Sequence, residues 1–316
     1  MMTNTVNNMI GIDIGGTSIK FSLMDKNGAI EKKWSIPTNI SEKGMFIPKE
    51  ICESIQTQVL NNEAYMIDGI GIGVPGPIST DGRVVLQAVN LDWYDLPLKD
   101  LIENELGIGV ALLNDANAAA LGEMWQGAAR GKENLLFVTL GTGVGGGIVL
   151  NGQILNGCHS AGGEIGHIPV RSTENRLCGC GARNCLETFS SANGLTLSMR
   201  KKLEEVGESW ASLSAPRIFS EAEKGNPLAQ EVLAEFIDIL GQALAGILNT
   251  IDVEQVIVGG GLSAAGDQLL KPLKASMDRY VFPQIKHHFS LKKAQLENEA
   301  GSYGAVYAYL SMNDLN

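Results

Sequence analysis

The chain has 316 residues, 44% of them apolar and 19% charged, the composition of a soluble globular enzyme, and the length suggests two domains. With 24 basic and 35 acidic residues it carries a net charge of −11, which argues against broad binding to nucleic acid or to an acidic membrane surface. No run of roughly 18 apolar residues occurs and the opening M-M-T-N-T-V-N-N has no basic region, so neither a membrane span nor a signal peptide is expected, and the cytoplasm is the expected location.

Along the chain, Ile10, Ile12 and Ile14 alternate with Gly11 and Asp13, and Ile19, Phe21 and Leu23 alternate beyond D-I-G-G-T. That pattern predicts a strand, a glycine turn and a second strand. Ile47, Ile51, Ile55 and Val59 recur every four residues, one face of a helix. Residues 69–74 read as a buried strand ended by P-G-P, 110–113 as a short strand and 116–124 as an alanine-rich helix. A second unit then repeats the first: strand over 135–140, glycine-rich turn over 141–147, strand over 148–150. Leu228, Val232, Phe236, Leu240, Leu244 and Ile247 mark one long helix, 255–258 a buried strand running into Gly259-Gly260-Gly261, and 305–310 a closing helix. Two similar α/β lobes with a cleft between them are the expected architecture.

Two stretches match G-x-G-x-x-G, Gly71/Gly73/Gly76 and Gly141/Gly143/Gly146. A dinucleotide fingerprint must open a helix. The first instead runs into Pro77 and an S-T-D-G turn, the second into Ile148-Val149-Leu150, and no G-x-x-x-x-G-K-[ST] exists. Phosphate-holding hairpin turns remain. In D-I-G-G-T-S-I-K the Asp13 carboxylate stands beside Gly15-Gly16 with a hydroxyl at Thr17, and magnesium needs only a carboxylate near the phosphates. Gly15-Gly16 alone is equally compatible with a plain β-hairpin. The second turn, with Thr142, and the third, at Gly259–Gly261, favour phosphate.

His167, Cys178, Cys180 and Cys185 are spaced H-x10-C-x-C-x4-C. Three thiolates and one imidazole complete a tetrahedral zinc set with no open position, so the metal is expected to be structural. Glu164 and Glu187 flank this loop, so one ion would fix several polar side chains around one point. Asp115, in N-D-A-N at a strand end, reads either as a helix cap or as a functional carboxylate.

With these residues in hand, the chain resembles the ROK family of repressors and sugar kinases, within the actin/hexokinase/Hsp70-like superfamily. The matches are D-I-G-G-T-S-I-K at 13–20, G-V-P-G-P at 73–77, N-L-D-W at 90–93, N-D-A-N-A-A-A-L-G-E at 114–123, T-L-G-T-G-V-G-G-G-I-V-L at 139–150, G-E-I-G-H at 163–167, C-G-C-x-x-x-x-C-L-E at 178–187 and V-I-V-G-G-G at 256–261. One departure is G-C-H-S-A-G before Gly163, where family members more often have Gly in place of Ser160 and Ala in place of Gly162. The segment from Asn90 through Glu187 is most similar to bacterial glucokinases.

The resemblance implies two lobes of the actin-like, ribonuclease H-like type, each a mixed sheet flanked by helices. The first would take residues 1–122 and 298–316, the second 123–297, and the lobes would close on sugar. It implies transfer of the γ-phosphoryl group of ATP to the 6-hydroxyl of glucose, with Asp115 as base. Asn90, Asn114, Asp115, Glu164, His167 and Glu187 would bind the sugar, His167 giving one ring nitrogen to zinc and the other to substrate. Gly15, Gly16, Thr17, Lys20, Thr142 and Gly143 would hold phosphates, Gly259 and Gly260 the adenosine side, and Asp13 the magnesium ion. A homodimer is implied, with a sugar as small-molecule partner. N-acetylglucosamine or N-acetylmannosamine kinase is the alternative substrate reading. A catalytically dead sugar-binding protein is disfavoured because Asp13, Asp115 and Thr142 are all present. A sugar-responsive repressor is disfavoured because the residues preceding Asp13 are too few for a DNA-binding module.

Overall fold

The computed structural model describes residues 7–62 and 65–314. The alternating isoleucines form the expected hairpin, β1 (Asn7–Ile14) with β2 (Ser18–Asp25), which sets Asp13 opposite Lys20. β3 (Ile30–Pro37) adds an antiparallel edge, and α1 (Ile47–Ile55) carries the four-residue isoleucine stripe. β4 (Met66–Val74) runs parallel to β1 with Gly71 beside Gly11. β5 (Val85–Ala88) and β6 (Trp93–Leu96) make a separate two-stranded ribbon. After α2 (Leu98–Leu106), β7 (Val110–Asn114) joins β4 in parallel and leads directly into α3 (Asp115–Trp125). The first sheet is thus ordered β3-β2-β1-β4-β7.

The second sheet repeats this order. It contains β8 (Leu135–Leu140), β9 (Val144–Leu150) and the short β10 (Gln153–Ile154). Helices α4 (Glu187–Ser190), α5 (Ala192–Glu205), α6 (Ala215–Glu223) and the 25-residue α7 (Pro227–Ile251) follow. Then come β11 (Gln255–Gly259), α8 (Asp267–Tyr280), β12 (Ser290–Lys293) and the closing α9 (Ala300–Asp314). The order is β10-β9-β8-β11-β12, a hairpin followed by parallel additions in both sheets. The second glycine turn is shorter than its composition suggests. β9 already begins at Val144, and Gly147 inside it lies where a Cβ would come within 2.7 Å of the Ala120 Cβ.

By contacts the chain divides into two compact units, residues 1–133, 147–162 and 296–316 in one, 134–146 and 163–295 in the other. In the first unit the period-2 pattern sorts the sheet faces. Ile10, Ile12, Ile70 and Ile72 bury completely in one core with Ile47, Ile51 and Ile55 of α1. The opposite face is bared by glycine so that α9 can lie on it: a Cβ on Gly71 would stand 1.9 Å from the Ala305 carbonyl oxygen. α9 approaches α3 as closely, since a Cβ on Gly304 would stand 1.6 Å from the Ala118 carbonyl oxygen.

Candidate active site

Asp13, the first glycine turn, Asn90, Asn114 and Asp115 belong to the first unit. Thr142, Gly143, Glu164, His167, the three clustered cysteines, Glu187 and Gly259–Gly261 belong to the second.

In the first unit, the β1–β2 turn is closed by Gly15 N–H to Ser18 O (3.1 Å) and latched by the Thr38 hydroxyl, which donates to Gly15 O (2.6 Å). Beside Gly16 is open space. Burial pushes the Asp13 carboxyl above the ordinary carboxylate range, and the charge of Lys20 opposes this. Gly301 leaves the room this carboxyl needs, since a Cβ there would stand 3.0 Å from Asp13 Cγ. Lys20 donates to Asn298 Oδ1 at 3.3 Å.

The strand-to-helix corner at β7 shows which residue caps α3. Asn114 is the helix cap: its backbone is extended and its Oδ1 accepts the N–H groups of Ala116 (2.9 Å) and Asn117 (3.2 Å). Asn114 Nδ2 also donates to Gly76 O at 3.2 Å, tying the corner to the P-G-P loop. Asp115 is the first residue of α3 and not its cap. Its side chain is exposed, with Oδ1 accepting the Ala116 N–H at 2.8 Å, and the first turn of a helix suits a negative charge. Gly76 itself has φ +124°, and a Cβ there would meet Gln87 O at 2.0 Å, so this glycine serves loop geometry. Asn90 is exposed in the turn Val89–Leu91, which is anchored by buried Leu91 and by Trp93, whose Nε1 donates to Gly44 O.

In the second unit, Glu187 opens α4 and joins two features at once. Its Oε2 accepts the Val144 N–H at the end of the second glycine turn (3.3 Å), and its Oε1 accepts from the Cys178 thiol (3.5 Å). Gly143 must be glycine for this, because a Cβ would stand 2.2 Å from Glu187 Oε2. Thr142 is exposed at the tip of the turn. A cavity of about 520 Å³ borders it, lined by Thr142, Gly143, Cys178, Glu187 and Lys201 among others.

The ligand atoms of His167, Cys178, Cys180 and Cys185 all lie within 4.8 Å of one another. His167 Nδ1 is 3.6 Å from Cys178 Sγ, and Cys180 Sγ is 3.7 Å from Cys185 Sγ. The other ring nitrogen, Nε2, lies 3.9 Å from Glu164 Oε2, so the imidazole presents Nδ1 to the thiols and Nε2 to a carboxylate. Without a cation, burial pushes the Cys178 thiol up to about 12. The loop is shaped by Gly181 (φ +90°) and by Asn184, whose Oδ1 accepts the Arg176 N–H and whose Nδ2 donates to Glu174 O.

In the third glycine group, packing requires Gly260. Gly260 has φ +77° and sits where a Cβ would be 2.5 Å from Leu140 O, while its own carbonyl accepts from Ser263 N–H and Oγ–H.

The sequence profile of the ROK family matches residues 9–311. The chain belongs to the ROK family. It is 41% identical to a glucokinase of Halalkalibacterium halodurans over 93% of this chain and 92% of that one. The crystal structure of a ROK family glucokinase from Streptomyces griseus in complex with glucose and AMPPNP superposes with a TM-score of 0.77 at 32% identity, over 96% of this chain and 99% of that one. The ROK hexokinase of Thermus thermophilus gives 0.84 at 31% identity, over 97% and 99%.

In this ROK protein, Asn114, expected as a sugar ligand, also does the capping and loop-tying work just described. Sequence reading missed one positioning residue. Arg176 is buried beneath the cysteine loop. Its guanidinium lies 4.1 Å from the Phe189 ring, donates to Thr188 O (2.7 Å) next to Glu187, and pairs with Glu174 (2.8 Å). Hydrogen bonds from Arg176, reinforced by Lys201, hold the Glu174 carboxyl down at about 2. An arginine inside a loop of polar residues reads as solvated surface, so no sequence signal marks it.

Proposed function

We propose that this chain is an ATP-dependent kinase that transfers the γ-phosphoryl group to the 6-hydroxyl of glucose. The observation that carries this reading is the exposed Asp115 carboxylate at the start of α3, in a chain whose relatives include glucokinases. Phosphoryl transfer to a hydroxyl demands positioning, charge neutralisation and a proton acceptor. Asp115 takes the proton of the attacking hydroxyl. Asn90, Glu164, His167 and Glu187 hydrogen-bond the other hydroxyls, with the remaining Asn114 N–H beside them. An analogue that leaves one such group unpaired loses about 1–3 kcal/mol.

Gly15, Gly16, Thr17 and Lys20 of the first unit and Thr142 and Gly143 of the second are the phosphate-binding residues, and Gly259 and Gly260 the adenosine-binding ones. The raised Asp13 carboxyl is the hard, charge-hungry oxygen that suits magnesium, which when bound neutralises phosphate charge. The histidine–cysteine set fits zinc. With metal–sulfur bonds of about 2.3 Å and a metal–nitrogen bond of about 2.0 Å, a tetrahedron puts sulfurs about 3.8 Å apart and sulfur and nitrogen about 3.5 Å apart. The Cys180–Cys185 and His167–Cys178 separations of 3.7 and 3.6 Å match these values. Four protein donors leave no open position, so the ion serves to hold the loop. The enzyme is taken to be a cytoplasmic homodimer.

A coupled assay across glucose, N-acetylglucosamine, N-acetylmannosamine, mannose and fructose tests the substrate. Glucose is expected to give the highest kcat/KM. Turnover of an acetamido sugar with none of glucose would overturn the assignment.

A further inference from the structure

A second cavity lies wholly within the first unit and contains none of the reacting groups named above except the edge of Asn114. Its volume is about 470 Å³, inside the range of roughly 300–1,000 Å³ usual for small-molecule sites. Four segments meet around it: the S-T-D-G turn, the outer face of α3, the loop after β10, and the last turns of α9. One group in its wall has an unmet demand. Asn117, only 8% exposed, lines the cavity, and its Oδ1 has no hydrogen-bond partner. A buried amide oxygen left unpaired costs about 1–3 kcal/mol, which a donor entering the cavity would offset.

The chemistry of the wall narrows the occupant. Leu121, Ile154 and Ile78 offer apolar surface, and Asn117 offers an acceptor. Asp81 supplies negative charge, although its Oδ1 is already engaged by Ser79 and the Arg83 N–H. Among the described residues no lysine, arginine or histidine lines the cavity. A phosphorylated ligand would therefore meet the Asp81 carboxylate and neutral polar and apolar groups, with no cationic side chain to offset its charge. We propose that this cavity is a second, non-catalytic binding site for a neutral, hydroxyl-bearing small molecule of sugar size, held by an O–H donated to Asn117 Oδ1. Asn117 lies in the first turn of α3, two positions beyond Asp115, so the occupant touches the same helical turn that presents the base.

The test is calorimetric titration of the full chain with D-glucose, without nucleotide, in the wild type and in Met312→Trp and Asn117→Leu. Met312 is 48% exposed at the cavity and a larger ring there fills it from outside. The wild type is expected to bind two glucose molecules per chain and each variant one, with Met312→Trp keeping kcat within about twofold; glucose 6-phosphate should leave the second site empty. If Asn117→Leu fails to fold, Met312→Trp alone decides. One bound glucose in the wild type, or two retained in Met312→Trp, would overturn the proposal. So would a glucose-soaked crystal whose cavity holds only water or a second copy of the chain. The transfer reading is tested separately: two bound sugars without phosphorylation would sink that reading and leave this one standing.

Discussion

Burial of the Asp13 carboxyl sets a conflict between stability and chemistry at a single residue. Its folded value lies above the ordinary 3.8 of the unfolded chain, so the folded state keeps the proton to higher pH. As pH rises from that ordinary value through the folded one, the unfolded chain ionises first and stability falls; below both values the contribution vanishes. Asp13→Asn should therefore melt at a higher temperature than wild type at pH 7.5, with the gap closing toward pH 4, while magnesium-dependent nucleotide binding is lost. A variant no more stable at pH 7.5 would show that the buried charge is compensated within the protein.

Among the elements, α9 and the cysteine loop depend on different physics. α9 packs through backbone approaches that only glycine permits, so Gly304→Ala should destabilise by at least about 1–3 kcal/mol through overpacking, read as a lower midpoint in denaturant unfolding. An unchanged midpoint would mean that α9 can shift outward at no cost. The cysteine loop depends instead on the Arg176 hydrogen bonds. Arg176→Met keeps the stem against Phe189 but removes the donors to Thr188 O, Ser198 and Glu174. We expect a loss of about 2–3 kcal/mol and substoichiometric metal by atomic absorption. Full metal content with an unchanged melting temperature would remove Arg176 from this role. The histidine–cysteine cluster was readable because its spacing is local, His167 to Cys185. Arg176 was not, because what identifies it is burial and a set of partners scattered over residues 174–198.

At the scale of the molecule, the fold class was legible because both halves open with alternating apolar residues around a glycine turn, and both build a sheet of the same order. The glycines were harder to read. Gly71 and Gly76 imitate a dinucleotide motif, yet each is required by backbone lying against it. The role of Asn114 was hidden for a related reason: its amide reaches Gly76, 38 positions away, and no local pattern encodes that bond. The Asn114–Gly76 bond fixes the corner from which Asp115 opens α3. The decisive measurement is the steady-state turnover and glucose affinity of Asp115→Asn against wild type, with ATP and magnesium saturating. If Asp115 accepts the proton of the 6-hydroxyl, kcat falls by about 10²–10⁴ while glucose still binds within a few-fold of wild type. A kcat within tenfold of wild type would contradict that role.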